Sequence, residues 1–212
     1  MAMNQSPRVT RKKIPKDLRR SLLLSIARGG VGIFPTDTLY GIVASAFSRE
    51  GVEKIYRLRK RNAKKPFIVL ISSEKDLARF GVRLTAWRKK AAESAWPGPV
   101  SLVFNVPSKE FDYLKRGEKS LAFRLPKPGW LREFLAASGP LVAPSANWEG
   151  MRPAKNVREA REYFGDAVDF YVSVGDLASE PSTLISLTGK KPRVLREGAF
   201  RGSLYLLACS KK

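Results

Sequence analysis

The chain has 212 residues, 43% hydrophobic and 10% aromatic, enough for one sizeable core and short for two full domains. It carries 40 Lys and Arg against 19 Asp and Glu, a formal charge of +21, and it has no histidine. That excludes Ser-His and Cys-His nucleophile pairs and histidine-ligated zinc, and the single cysteine, Cys209, excludes an intramolecular disulfide or a cysteine metal cluster. Chemistry must run on cations, hydroxyls, amides, carboxylates and backbone groups. No run approaches the ~18 apolar residues of a membrane helix, and no signal-type apolar segment follows the basic start MAMNQSPRVTRKK. The expectation is a soluble, cytoplasmic protein whose field attracts polyanions such as RNA and nucleotides.

Residues 1–13 read as a basic, flexible segment and 14–212 as a single domain. Pro15 starts a helix with apolar residues at 18, 22, 23 and 26, and Gly29 and Gly30 stop it. VGIF (31–34) reads as a buried strand, PTDTLYG (35–41) as a loop and IVASAF (42–47) as a second strand. Ser48 caps a helix running to about Arg59, with Gly51 a weak point in it. FIVLIS (67–72) is a strand, Ser73 opens a short helix ending at Gly81, and Thr85 caps a helix that stops at WPGP (96–99). VSLVFNV (100–106) and LAFRL (121–125) are strands, WLREFLAAS is a helix ended by Gly139, and LVAP (141–144) is a strand. Asn156 and Glu159 form a capping box for a helix ending at Gly165. VDFYVSV, STLISL and RVLRE are the last strands. Helices and strands alternate irregularly, which predicts an α+β fold: a mixed sheet flanked by helices.

No phosphate loop GxxxxGK[ST] is present, and Gly30-Val31-Gly32 lacks the third glycine of a dinucleotide fingerprint. Four other segments stand at strand or helix ends, where a rigid scaffold presents binding groups. They are PTDTLYG with Thr36, Thr38 and Tyr40; RLRKRNAKKP (57–66); APSANWEG (143–150) with Ser145 and Asn147; and PSTLIS with RVLREG, carrying Ser182, Thr183 and Arg196. Each hydroxyl or amide could equally make turn bonds or a helix cap. Arg59 shares a helix face with Val52, Ile55 and Tyr56. A cation on that face either snorkels out or points into an anion-binding cavity. Lys54, Lys60, Lys64 and Lys65 read as solvated surface.

Taken in order, these segments resemble the YrdC-like family of threonylcarbamoyl-AMP synthases. PTDTLYG matches P-T-[DE]-T-x-Y-G, IYRLRKR matches I-Y-x-x-K-x-R, and WPGPVSLVF matches W-P-G-P-[LV]-[TS]. LAFRLP matches the family's arginine strand, PSANWEG matches [TP]-S-A-N-x-x-G, and PSTLIS with VLREG matches the terminal strand pair. The likeness runs from about Leu22 to Ala199. Three positions depart from it: Arg59 stands where the motif has lysine, Glu149 where a serine is common, and Leu70 near a position often held by histidine.

The resemblance implies a twisted mixed sheet with a basic cavity, of the short, single-domain bacterial type. It implies an L-threonylcarbamoyladenylate synthase, a nucleotidyltransferase acting on ATP, L-threonine and bicarbonate. Arg59 and Arg61 would be catalytic. ATP would be held by Arg59, Arg61, Ser145, Asn147 and Arg196. Threonine would be held by Thr36, Tyr40, Arg124 and Ser182, with Arg124 on its carboxylate. Mg²⁺ would come with ATP, with no protein metal ligands. A tRNA threonylcarbamoyl transferase complex would take the product, and weak tRNA binding would follow from the charge. The alternative is an RNA-binding protein of the same fold without synthase activity.

Overall fold

A computed structural model of the chain describes residues 14–200. The basic segment 1–13 and Cys209 lie outside these residues. In chain order the elements are α1 (Lys16–Ala27), β1 (Gly32–Pro35), β2 (Tyr40–Ser45), α2 (Arg49–Leu58), β3 (Ile68–Leu70), α3 (Ala86–Ala95), β4 (Val100–Asn105), α4 (Asp112–Lys115), β5 (Ser120–Arg124), α5 (Gly129–Ser138), β6 (Leu141–Val142), α6 (Val157–Phe164), β7 (Phe170–Tyr171), β8 (Thr183–Ser186) and β9 (Arg193–Arg196). A 3₁₀ turn, Glu74–Phe80, takes the place of the expected short helix and ends at Gly81, whose φ of 73° suits glycine.

The strands form one mixed sheet in the order β7-β1-β2-β6-β3-β5-β4-β8-β9. Parallel pairs join β1 to β7, β3 to β5 and β4 to β8, and the other neighbours run antiparallel. Strand side chains alternate between faces, so neighbours in sequence enter different cores. Ile33, Ile42, Val69, Phe123 and Ile185 belong to the larger core, with Val52 and Ile55 of α2 and Ala91 and Ala92 of α3. Phe34, Val43, Leu70 and Leu141 point the other way and pack against Leu22 and Ile26 of α1 and Leu131, Phe134 and Leu135 of α5.

Ser48 caps α2 as expected, its Oγ accepting from Gly51 N at 3.1 Å. Gly51 sits where packing is tight. A Cβ there would stand 3.0 Å from the Ala44 Cβ and 3.2 Å from the Gly29 carbonyl oxygen, so the glycine lets α2 sit close on β2. Sequence periodicity gave no helix at 112–115, where a short run carries Lys115. Its buried ammonium donates to the carbonyls of Val106 and Ser108 and pairs with Asp112 at 2.8 Å, so it is a structural cation. β9 is an edge strand exposed along its whole length.

Parity along the strands locates the site. Ile68, Ala122, Arg124, Ser182 and Leu184 have the opposite parity to the larger-core residues Val69, Phe123 and Ile185. They therefore face the side on which α1 and α5 cover other strands, and there they line a cavity.

Candidate active site

The cavity has a volume of about 240 Å³. Its apolar lining includes Ile68, Ala122, Ala143 and Leu184, and its polar lining Thr36, Thr38, Ser145, Ser182 and four arginines: Arg59, Arg61, Arg124 and Arg196. Thus the post-strand loop 36–39, the C-terminal end of α2, the end of β5, the loop after β6, the start of β8 and the end of β9 converge. Eight of the nine residues expected from the sequence line this cavity; Asn147 does not.

Arg59 caps the C-terminus of α2, where a cation also complements the helix dipole. Only 3% of it is exposed. Its Nε donates to the Asn147 carbonyl at 3.0 Å, and Nη2 reaches Ser145 Oγ and Asn147 Oδ1, each at 3.4 Å. Nη1 is buried without a hydrogen-bond partner. Of the two routes open to Arg59, the side chain takes the inward one. Asn147 stands behind it: its Nδ2 donates to the Trp148 and Met151 carbonyls at 2.6 and 2.9 Å, which fixes the loop that holds Arg59.

Burial, and then the charge of Arg61, lowers the pKa of Arg59 to about 10. Arg196 is lowered by burial and then by Arg124 and Arg61. A value of about 10 leaves Arg59 cationic at neutral pH, and an anion entering the cavity would relieve the repulsion between Arg59 and Arg61. Arg196 also donates to the Ser182 carbonyl at 2.8 Å. This closeness depends on Gly198, where any Cβ would run into the backbone of Pro181 and Ser182.

Arg124 is already paired. Its Nη2 lies 2.8 Å from Asp37 Oδ1 and donates to Thr36 Oγ1 at 3.3 Å; the two charged side chains are 5% and 6% exposed. Burial lowers its pKa and Asp37 opposes the shift. Several hydroxyls are also engaged. Thr36 Oγ1 donates to the Leu39 carbonyl at 2.7 Å and accepts from the amides of Thr38 and Leu39, so it builds the loop. Tyr40 is among the residues around the cavity, but its side chain belongs to the larger core, and its hydroxyl donates to the Gly175 carbonyl at 2.7 Å and accepts from Val174 N at 2.9 Å. Ser182 shares a 2.8 Å hydrogen bond with Ser101.

Sequence reasoning passed over three contributors. Asp37 sits inside PTDTLYG, and the signal was available: a buried strand arginine needs an anionic neighbour. Glu149 was noted only as a departure, yet it pairs with Lys65 at 2.8 Å. Trp148 carries Lys60 over its ring at 3.6 Å. Lys54, Lys60 and Lys65 were expected to be solvated surface. Lys60, Lys64 and Lys65 are exposed as expected, and Lys54 is half-buried; the pairings they make, such as Lys54 with Asp169 at 3.0 Å, were not foreseen because the partners lie far along the chain, beyond helical periodicity.

Among the described residues no helix is long and apolar enough to cross a membrane, and no group of three His, Cys, Asp or Glu could hold a metal ion.

Comparison with known proteins places this geometry. Residues 25–198 match the model of the Sua5_yciO_yrdC family, described as "Telomere recombination". A Marinobacter nauticus relative named threonylcarbamoyl-AMP synthase is 32% identical over 182 residues, 81% of this chain and 95% of the relative. The crystal structure of Pyrococcus abyssi (P. abyssi) Sua5 complexed with L-threonine matches with a TM-score of 0.81 and 28% identity, over 89% of this chain; the chain spans only 56% of that protein's length. Escherichia coli (E. coli) YciO matches with a TM-score of 0.82 over 92% of this chain and 96% of its own, and at 22% identity it speaks for the fold alone. The chain belongs to the Sua5/YciO/YrdC family, whose members include threonylcarbamoyl-AMP synthases.

Proposed function

We propose that the chain is an L-threonylcarbamoyladenylate synthase that joins L-threonine, bicarbonate and ATP for the threonylcarbamoyl modification of tRNA. The observation that carries this reading is Arg59: a buried guanidinium with an unpartnered Nη1, in a cavity ringed by three further arginines. Buried donors without partners are costly, and a phosphate oxygen is the group that would complete them. The relatives' names supply the rest: a synthase, and an L-threonine complex of the Pyrococcus protein.

The chemistry has two balanced steps. The threonine ammonium and bicarbonate give a carbamate, water and a proton. A carbamate oxygen then forms a bond to the α-phosphorus of ATP, the bond from that phosphorus to the bridging oxygen breaks, and pyrophosphate leaves with the electron pair. The carbamate is already an anion, so the second step needs no general base and no histidine. Its obstacle is electrostatic, since an anion must approach a polyanion. Fixed guanidiniums answer that without reorganising during the reaction. Arg59 and Arg61 hold phosphate oxygens, Arg196 and Ser145 flank them, and Asn147 acts by holding Arg59. Arg124 takes the threonine carboxylate, sharing its guanidinium with Asp37, while Thr36, Tyr40 and Ser182 shape that pocket. The enclosed volume of about 240 Å³ is below the roughly 300–1,000 Å³ usual for whole ligands, so the cavity encloses the reacting ends and the base of the nucleotide lies toward its mouth. Mg²⁺ enters on the ATP phosphates as part of the substrate.

Pyrophosphate release from ATP should require threonine and bicarbonate together. An assay omitting one component at a time checks this. Equal release without threonine would remove the synthase reading, and tRNA binding without release under any condition would replace it with the RNA-binding one.

A further inference from the structure

The turn formed by residues 60–65 carries Arg61 to the cavity, and it is fastened to the loop 145–150 rather than left to solvent. Glu149 provides the fastening. Its Oε2 accepts from Asn62 N at 2.7 Å, its Oε1 pairs with Lys65 Nζ at 2.8 Å, and its own amide donates to the Arg59 carbonyl at 2.9 Å. Lys60, in a left-handed conformation with φ of 50°, lies over the Trp148 ring on the same seam. Two of the chain's departures from the family pattern, Arg59 and Glu149, thus meet through one backbone hydrogen bond.

We infer that Glu149 is a positioning residue that fixes the 60–65 turn so that Arg61 faces the anion-binding cavity. The distances decide between positioning and competition. Glu149 makes its short contacts to Asn62 and Lys65, whereas Arg61 Nη1 is 3.9 Å away, too far for a hydrogen bond. Glu149 therefore leaves the terminal guanidinium nitrogens of Arg61 available to a ligand. Arg61 Nε instead reaches the Lys65 carbonyl at 3.4 Å, a carbonyl whose place depends on the turn that Glu149 holds. The Tyr56 hydroxyl also donates to that carbonyl, at 2.8 Å, so loss of the carboxylate loosens the Asn62 side of the turn, and with it the placement of Arg61, without releasing the turn entirely.

The fastening is charged at working pH. The Lys65 hydrogen bond, then that from Asn62, hold the Glu149 carboxyl down to about 2, from an ordinary value of 4.5. With the folded value depressed, its contribution to stability is complete above 4.5 and disappears as pH falls toward 2.

The test rests on the proposed use of the cavity for ATP, and it carries a readout that does not. The full chain, Glu149→Gln and Glu149→Ser are compared by ATP titration of pyrophosphate release and by hydrogen exchange at the Asn62 amide without ligand. Glu149→Ser should raise KM for ATP about tenfold with kcat changed less than about twofold, the pattern of lost uniform binding after a small misplacement. Asn62 exchange should quicken in the same variant. Glu149→Gln, which keeps an acceptor for Asn62 but loses the charge, should fall between it and wild type. An unchanged or lowered KM in both variants overturns the inference, and so does a raised KM with Asn62 protection intact. If wild type releases no pyrophosphate, the synthase reading fails separately. Calorimetric titration of inorganic pyrophosphate then replaces KM, and weaker binding in Glu149→Ser supports the inference while equal or tighter binding overturns it.

Discussion

Arg59→Ala should lower kcat/KM for ATP about 10²–10³-fold, the cost of removing one preorganised donor from a developing charge. The side chain is buried, its Nη1 has no partner, and it lines the cavity beside Arg61. The change removes no core methyl, so from the sequence it reads as harmless to the fold. The structure shows a further cost. Arg59 also ties the Asn147 carbonyl and Ser145 to the end of α2, and alanine leaves a buried acceptor open. That costs about 1–3 kcal/mol. Thermal unfolding should therefore shift down by several degrees, at roughly 2–4 °C per kcal/mol for a chain of this size. Arg59→Lys keeps the charge but cannot reproduce the fork to Asn147 and Ser145. It should retain more activity than alanine and melt close to it. ATP dependence near wild type in folded Arg59→Ala would remove position 59 from the phosphate site and shift that role to Arg61 and Arg196.

The second large effect belongs to Arg124. Its ion pair with Asp37 is almost completely buried. Arg124→Ala leaves that carboxylate without its cation, and breaking a buried pair from one side costs about 3–5 kcal/mol. The melting temperature should fall by about 6–20 °C. Adding Asp37→Asn to Arg124→Ala removes both charges and should recover roughly half of the loss, because the penalty lies mainly in the stranded charge. Threonine dependence should not recover with it: the double variant should show a strongly raised KM for threonine and little change in KM for ATP. Recovery of threonine use together with stability would mean that Arg124 serves the fold alone.

Much of this arrangement could be read from the sequence. The apolar strands, the caps at Ser48 and Asn156 and the glycines at 81, 139 and 165 are local signals, and the mixed sheet flanked by helices follows from them. Elements failed where local pattern and packing disagree. VDFYVSV alternates over seven residues but pairs with β1 only at Phe170 and Tyr171. The short α4 has no periodic run to announce it. Within the site, motif order brought eight residues to one cavity, because each motif ends an element whose place in the sheet is fixed. It could not show how the side chains are occupied. Thr36 and Tyr40 spend their hydroxyls on the loop and on Gly175, Arg124 is held by Asp37, and Glu149 closes a turn of exposed lysines. Those pairings join segments far apart in the chain, and periodicity carries no information about them.

The central claim is that four arginines around one cavity let a carbamate attack the α-phosphate of ATP. Mass spectrometry of the nucleotide product, formed with ¹³C-bicarbonate and deuterated threonine, tests it most directly. The account predicts an adenylate carrying both labels, formed in equal amount with pyrophosphate. AMP or ADP without either label, or pyrophosphate released with no doubly labelled adenylate at any time point, would contradict it.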